Sequence, residues 1–213
     1  MHLAIIYTPA AANVTGYATA QTGAAWTLAH TTAADSLAHL TTITNNSSTD
    51  HSGKTALITG TDADGLAQTE TLALPAASVA VTGLKYFKTV TSIVPSATIG
   101  ADTMGLGWAA TAVGPSIELN WRQNQFQVSV ALWITGTINV TEQHSFDYLR
   151  DAVLAGTTTG TQAANWWDDT YLAGITASNE SNYILAPVLT RLKINSVTAT
   201  ATVTQYVIQG DKS

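Results

Sequence analysis

The amino-acid sequence predicts an all-β chain: one or two antiparallel β-sandwich domains, immunoglobulin-like or jelly-roll-like, with an N-terminal arm. Three observations lead there. Apolar residues recur at every second position over several stretches, which is the strand period and not the helical one. Turn signals rich in Gly, Asp, Asn and Pro separate these stretches at short intervals. Only 10% of the 213 residues are charged, against roughly 25% in an ordinary soluble domain. Thr, Ala, Ser, Gly and Asn take the place of the charges, and Thr favours extended backbone because its Cβ is branched.

The chain opens with Met1-His2-Leu3-Ala4-Ile5-Ile6-Tyr7-Thr8-Pro9. Its apolar run is too short, and its flank too uncharged, for a secretory signal, so it reads as a short strand or docking arm. Residues 9 to 24 keep no sustained period and are expected as an arm or long loop, which makes residues 1 to 25 an N-terminal strand and arm. A first sandwich is expected over residues 26 to 111. Trp26 to Thr31 and Leu37 to Thr44 are its first short strands, and Asn45 to Gly53 is a polar connection. Thr55 to Thr59 and Gln68 to Leu74 flank Gly60-Thr61-Asp62-Ala63-Asp64-Gly65 as a hairpin, because Asp-Gly supplies the positive φ of a tight turn. Leu72 and Leu74 share a face that Glu70 continues, and Pro75 ends the strand. Val79 to Val81 is another short strand. Phe87 to Val94 reads as a central strand, with Phe87 and Ile93 on one face and Val90 and Val94 on the other. Met104, Leu106 and Trp108 share one parity in the strand that closes the block.

Thr111-Ala112-Val113-Gly114-Pro115 is the boundary expected from its Gly-Pro junction. A second sandwich is expected over residues 115 to 210, beginning with Ile117 to Trp121. Phe126, Val128, Val130, Leu132 and Ile134 then give the longest period-two signal in the chain. Ile138 and Val140 continue after Gly136, and Gln143 to Asp147 ends that strand. Residues 147 to 180 are a loop excursion, with helical turns expected over Asp147 to Leu154 and a polar loop over Thr157 to Gln162. The chain returns to strand at Tyr183 to Leu185, Val188 to Val197 and Thr200 to Ile208. Val203, Gln205 and Val207 share one parity in the last of these, and Gln209 to Ser213 is expected to be loose.

Eight Lys and Arg against fourteen Asp and Glu give a net charge of -6, and the basic residues are scattered singly. Phosphate recognition needs clustered cations, so no direct nucleic-acid role is expected. The absence of Cys removes disulfides, thiol catalysis and Cys-based metal sites. No apolar run reaches about 18 residues, so no membrane span is expected.

Catalytic and metal motifs are weak. Asp62-Ala63-Asp64-Gly65 with Glu70 lacks the intermediate ligands and flanking helices of a calcium loop, and reads as a turn. Asp50-His51-Ser52 and His144-Ser145-Phe146-Asp147 bring triad residue types together in sequence only, and neither carries a nucleophile-elbow pattern. No catalytic, cofactor or metal residue is expected, and the chain is read as a non-enzyme. Trp166-Trp167-Asp168-Asp169 with Tyr171 stands out: aromatic rings beside acids suit a sugar ring or a protein partner. Tyr7 on the N-terminal strand joins these as a candidate contact, while Trp26, Trp108, Trp121 and Trp133 are expected in the core or between subunits.

The Thr59 to Gly65 turn, followed by Glu70-Thr71-Leu72-Ala73-Leu74 and Lys85 to Ile93, resembles a recurrent pattern in structural proteins of tailed bacteriophages. The second block is similar to the latter half of the same proteins, through Phe126 to Thr135, Val140 to Asp147, Trp166, Asn182-Tyr183, Pro187-Val188, Arg191-Leu192 and Val203 to Gln209. The resemblance covers most of the chain from about residue 50 onward. It implies a small virion component, such as a capsid decoration, minor capsid, neck or tail protein, assembled in the host cytoplasm. Its implied partners are major capsid, neck or other tail proteins and further copies of itself as a homo-oligomer. No catalytic residues come with it. The rival expectation is a glycan-binding receptor or fibre domain using exposed aromatic residues.

Overall fold

The computed structural model describes residues 1–122, 127–147, 165–183, 185–198 and 200–210. The chain is all-β, built of several antiparallel sheets. Its strands are β1 (His2–Tyr7), β2 (Asn13–Gln21), β3 (Ala38–Asn45), β4 (Thr55–Thr61), β5 (Ala67–Ala73), β6 (Ala80–Phe87), β7 (Thr89–Pro95) and β8 (Met104–Val113). They continue as β9 (Ile117–Glu118), β10 (Val128–Thr135), β11 (Ile138–Ser145), β12 (Trp167–Asp168), β13 (Asn179–Tyr183), β14 (Leu189–Val197) and β15 (Thr202–Gln209). Two compact units result. One is Ala10–Val113; the other joins Met1–Pro9 to Gly114–Ser213 and is called the terminal unit below. Residues 1 to 25 are divided between the two.

In the 10–113 unit, β3 lies between β6 and β8, and β2 pairs with β8. A second sheet runs β5-β4-β7. Both sheets feed one apolar cluster, to which Ile43, Met104, Leu106 and Trp108 come from the first and Ile58, Val90 and Ile93 from the second. Trp108 meets Tyr17 edge-on, with ring centroids 5.2 Å apart. The hairpin of β4 and β5 pairs from Thr55↔Ala73 to Thr61↔Ala67, and Gly65 has φ +84°, as the Asp-Gly signal requires.

Three sequence expectations change here, each for a local reason. Residues 9 to 24 were expected as loop, yet 13 to 21 form β2. Two register shifts against β8 scramble the period of β2, so its buried Tyr17 and Ala18 leave no alternation to detect. Trp26 to Thr31 is not a strand; its backbone is tied instead by the Ala29 and His30 N–H groups, which both donate to the Tyr17 carbonyl. Phe87 to Val94 is not one central strand. Phe87 ends β6, and β7 is the edge of its sheet. A shift in the pairing of Thr59 and Gly60 with Ser92 and Val90 puts Val90 and Ile93 both inside and leaves Val94 exposed.

The terminal unit holds one sheet in the order β1-β15-β10-β13 and another in which β11 lies between β12 and β14, with β9 also on β14. Val128, Val130 and Leu132 on β10 are buried as their alternation predicts, together with Val203 and Val207 on β15. Gln209 is not loose: it ends β15, is buried, and its side chain bridges Asn120 N (2.9 Å) and O (2.8 Å). Phe126, the helical turns expected after Asp147 and the loop over 157 to 162 lie outside the described residues.

Gly60 shows how closely the strands of the smaller sheet approach. A Cβ there would sit 1.9 Å from the Thr89 carbonyl oxygen. Gly60→Ala is expected to cost about 1–3 kcal/mol in urea unfolding followed by Trp fluorescence. Gly53→Ala, where a Cβ meets nothing within 4 Å, is the matched control and is expected to change little.

Candidate functional site

The residue groups singled out by sequence separate once folded. Asp62 is a turn residue: its Oδ1 accepts from Asp64 N and Leu66 N, both at 2.9 Å. Burial pushes its carboxyl up, against the opposing backbone hydrogen bonds of the turn. Glu70 points elsewhere, accepting from Leu84 N (2.6 Å) and Lys85 N (3.3 Å) of β6. His51 is buried and pairs with Asp102 (2.9 Å), not Asp50, while Lys54 Nζ donates to its other nitrogen (3.1 Å). The His51 hydrogen bond, helped by Thr49 and Ser47, holds the Asp102 carboxyl below its ordinary range. Asp50 accepts from Ser52 N (2.8 Å), closing a turn. Ser145 Oγ accepts from Asp147 N (3.1 Å), so the second motif is a strand end. Among the described residues no three His, Asp or Glu side chains gather to hold a metal ion.

The aromatic group divides as well. Trp166 is half-buried against Val188 and Leu189, and the Arg191 guanidinium lies 3.9 Å from its ring centroid. Arg191 Nε donates to Gln143 Oε1 (2.9 Å), and Gln143 Nε2 donates to Asp168 Oδ1 (2.8 Å). Trp167 is 48% exposed and tilts against Phe146, and Tyr171 is 73% exposed. Asp169 is buried: its carboxylate accepts from Tyr171 N, Leu172 N and Ser181 Oγ, which fixes the turn after β12. Tyr7 is buried too. Asp169 and Tyr7, expected at a contact surface, instead support the interior.

Tyr7 leads to a buried polar constellation. On β11, Val140 and Glu142 share the inward face, and Glu142 is fully buried. On β15, Gln205 is fully buried in phase with Val203 and Val207. Gln205 Nε2 donates to both Glu142 oxygens, at 2.7 and 2.9 Å, and Gln205 Oε1 accepts from the Tyr7 hydroxyl at 3.0 Å. Thr190 on β14, also fully buried, has one hydroxyl proton within reach of two acceptors, Glu142 Oε1 and Gln143 O (3.0 Å), and its Oγ1 lies 3.2 Å from the Tyr183 hydroxyl. The network passes from one sheet of the terminal unit to the other.

Burial pushes the Glu142 carboxyl up to about 8; the Thr190 and Gln205 hydrogen bonds oppose this and the Asp169 charge adds to it. Burial, and then the nearby Glu142, push the Tyr7 phenol up, so it remains a donor throughout the neutral range. Burial also lowers His144, whose ring stands edge-on to Phe146 and Tyr183. None of Glu142, Thr190 and Gln205 was singled out as a site from sequence. The available signal was an acid in phase with Val140 and an amide in phase with Val203 and Val207.

Comparison with protein-family models, with curated proteins and with solved structures finds no match.

A carboxyl raised by folding binds its proton more tightly in the native state, so its contribution is fully present below the unfolded value of about 4.3 and lost as pH rises to about 8. Thermal melts of the terminal unit are expected to show stability falling over that window, by up to about 1.4 kcal/mol per pH unit. Glu142→Gln is expected to lose that slope whatever its absolute stability.

Proposed function

We propose that this chain is a non-enzymatic structural component of a phage virion, a decoration, minor capsid, neck or tail protein built on two β-sandwich units, which acts through protein–protein contacts and assembles with copies of itself. The observation that carries this reading is the outer face of the β1-β15-β10-β13 sheet. Opposite the buried row of Val130, Leu132, Val203 and Val207, this sheet presents Ile6 (72% exposed), Trp133 (65%) and Ile208 (48%), with Tyr206 between them. Ile6 and Trp133 both lie against Thr204, so they flank one strand in a single row. Charge is confined to the margin, where Glu180 sits on the edge strand β13. An aromatic face poor in charge loses little by desolvation when a partner covers it, and exposed apolar patches of this kind mark interaction surfaces. The low charge of the whole chain supports the same reading, and the bacteriophage resemblance supplies the context.

A second reading rests on Trp167, half exposed against Phe146 and beside the exposed Asp168, an arrangement that suits stacking on a sugar ring with a carboxylate at its hydroxyls. It uses a different surface, so the two separate cleanly.

Sedimentation velocity on the full chain at tens of micromolar is expected to show an oligomer that Ile6→Glu and Trp133→Glu convert to monomer with unchanged melting temperature. A stable wild-type monomer at that concentration overturns self-assembly. Glycan-array binding lost in Trp167→Ala, with the oligomeric state unchanged, would favour the sugar reading instead.

A further inference from the structure

The Glu142 constellation has more than a packing network needs. Acyl transfer from a carboxamide to a hydroxyl requires a nucleophile beside a base, a donor on the carbonyl oxygen, and a proton for the departing nitrogen. All three are present within one dry site. The Thr190 hydroxyl and the Gln205 amide nitrogen are both hydrogen-bonded to the same carboxylate oxygen, Glu142 Oε1. The Gln205 carbonyl oxygen is held by the Tyr7 phenol at 3.0 Å. Thr190, Glu142 and Gln205 are fully buried and Tyr7 is 4% exposed, so bulk water is kept from competing as nucleophile.

We propose that Thr190 and Gln205 form an intramolecular ester cross-link, with Glu142 as the proton shuttle and Tyr7 as the oxyanion donor. The Glu142 carboxylate takes the Thr190 hydroxyl proton. Thr190 Oγ1 attacks Gln205 Cδ once the amide turns toward it, and the tetrahedral oxygen is stabilised by the Tyr7 hydroxyl. Collapse breaks the Cδ–Nε2 bond, and the proton held on Glu142 passes to the nitrogen, which leaves as ammonia. The balance is complete: hydroxyl plus carboxamide gives ester plus ammonia, without oxidant or cofactor, and Glu142 returns to its starting state. The raised affinity of Glu142 for a proton suits both halves, since its carboxylate is basic enough to accept from Thr190 and its acid able to deliver to nitrogen near neutral pH. Fixing the reactants in one interior replaces the need for a separate enzyme.

The product would tie β14 to β15, strands that belong to different sheets of the terminal unit. In a chain with no Cys it would supply the covalent brace that a disulfide supplies elsewhere. The proposal is independent of assembly, since it holds for a monomer and fails or stands without reference to any partner.

Intact mass spectrometry of the folded wild-type chain after prolonged incubation near pH 8 is the decisive measurement. The expected mass is below the sequence mass by about 17 Da, one ammonia. Digestion is expected to yield a branched peptide joining Thr190 to Gln205, which hydroxylamine opens to a free Thr190 and a hydroxamate at Gln205. Thr190→Val and Glu142→Gln are expected to keep their full sequence masses. A wild-type chain that retains its full mass, or whose lost ammonia maps to an Asn succinimide or any other site, overturns the cross-link. Because that measurement is made on the wild type, a variant that fails to fold does not rescue the proposal. A Glu142→Gln chain that still forms the branched peptide overturns the role given to Glu142.

Discussion

The interior of the terminal unit is organised around a carboxyl group with no access to water. Removing an ionised carboxylate from water costs several kcal/mol even after relaxation, and Glu142 lies in an interior whose other contributors are mostly Val, Leu and Ile. Its tolerance depends on partners arriving from separate strands: Gln205 from β15, Thr190 from β14 and, one step removed, Tyr7 from β1. A one-residue slip of any of these strands would turn its polar partner outward and leave the acid unsatisfied. The constraint thus fixes register in both sheets at once, which apolar side chains of similar size do only loosely. It also explains why the first strand of the chain pairs beside the last: Tyr7 reaches Gln205 from the neighbouring strand.

The 10–113 unit meets the same problem differently. His39 is fully buried, with Nδ1 2.8 Å from the Ala109 carbonyl and Nε2 3.0 Å from both Asp35 oxygens. Both ring nitrogens thus meet oxygen atoms within hydrogen-bonding distance. Burial pushes Asp35 up, but the hydrogen bond and charge of His39, with the Ala10 and Leu37 N–H groups, outweigh it and hold the carboxyl below its usual range. Here the carboxyl is lowered, whereas that of Glu142 is raised. The difference follows from what each acid faces, a base in one case and an amide with hydroxyls in the other.

Strands with an undisturbed period were legible in sequence. The alternation through Val128 to Leu132 and the hairpin around Asp64-Gly65 needed no tertiary information, because side-chain parity and turn geometry are local properties. Where a register shift intervened, parity was destroyed: β2 was hidden by two shifts, and the faces expected of Phe87 to Val94 were changed by one that moved Val90 onto the face of Ile93. The buried acid was missed for a related reason. Glu142 was visible as an acid in an alternating strand, but a single strand cannot reveal that its inward partner is an amide on a strand some sixty residues later. Asp168 and Asp169 make the same point, since adjacent residues point to opposite sides of β12's end and only Asp169 meets Ser181.

These two patterns also separate where chemistry and contact reside. The groups of the Glu142 constellation turn inward, where Tyr7, Glu142, Thr190 and Gln205 are enclosed. The outer face of the β1-β15-β10-β13 sheet instead carries the apolar Ile6, Trp133 and Ile208. In the proposed assembly a cross-linked interior would resist separation of the sheets while the apolar outer face joins neighbours. The few charges then belong at margins such as Glu180, where they oppose edge-to-edge pairing of β13 without disturbing the face beside it.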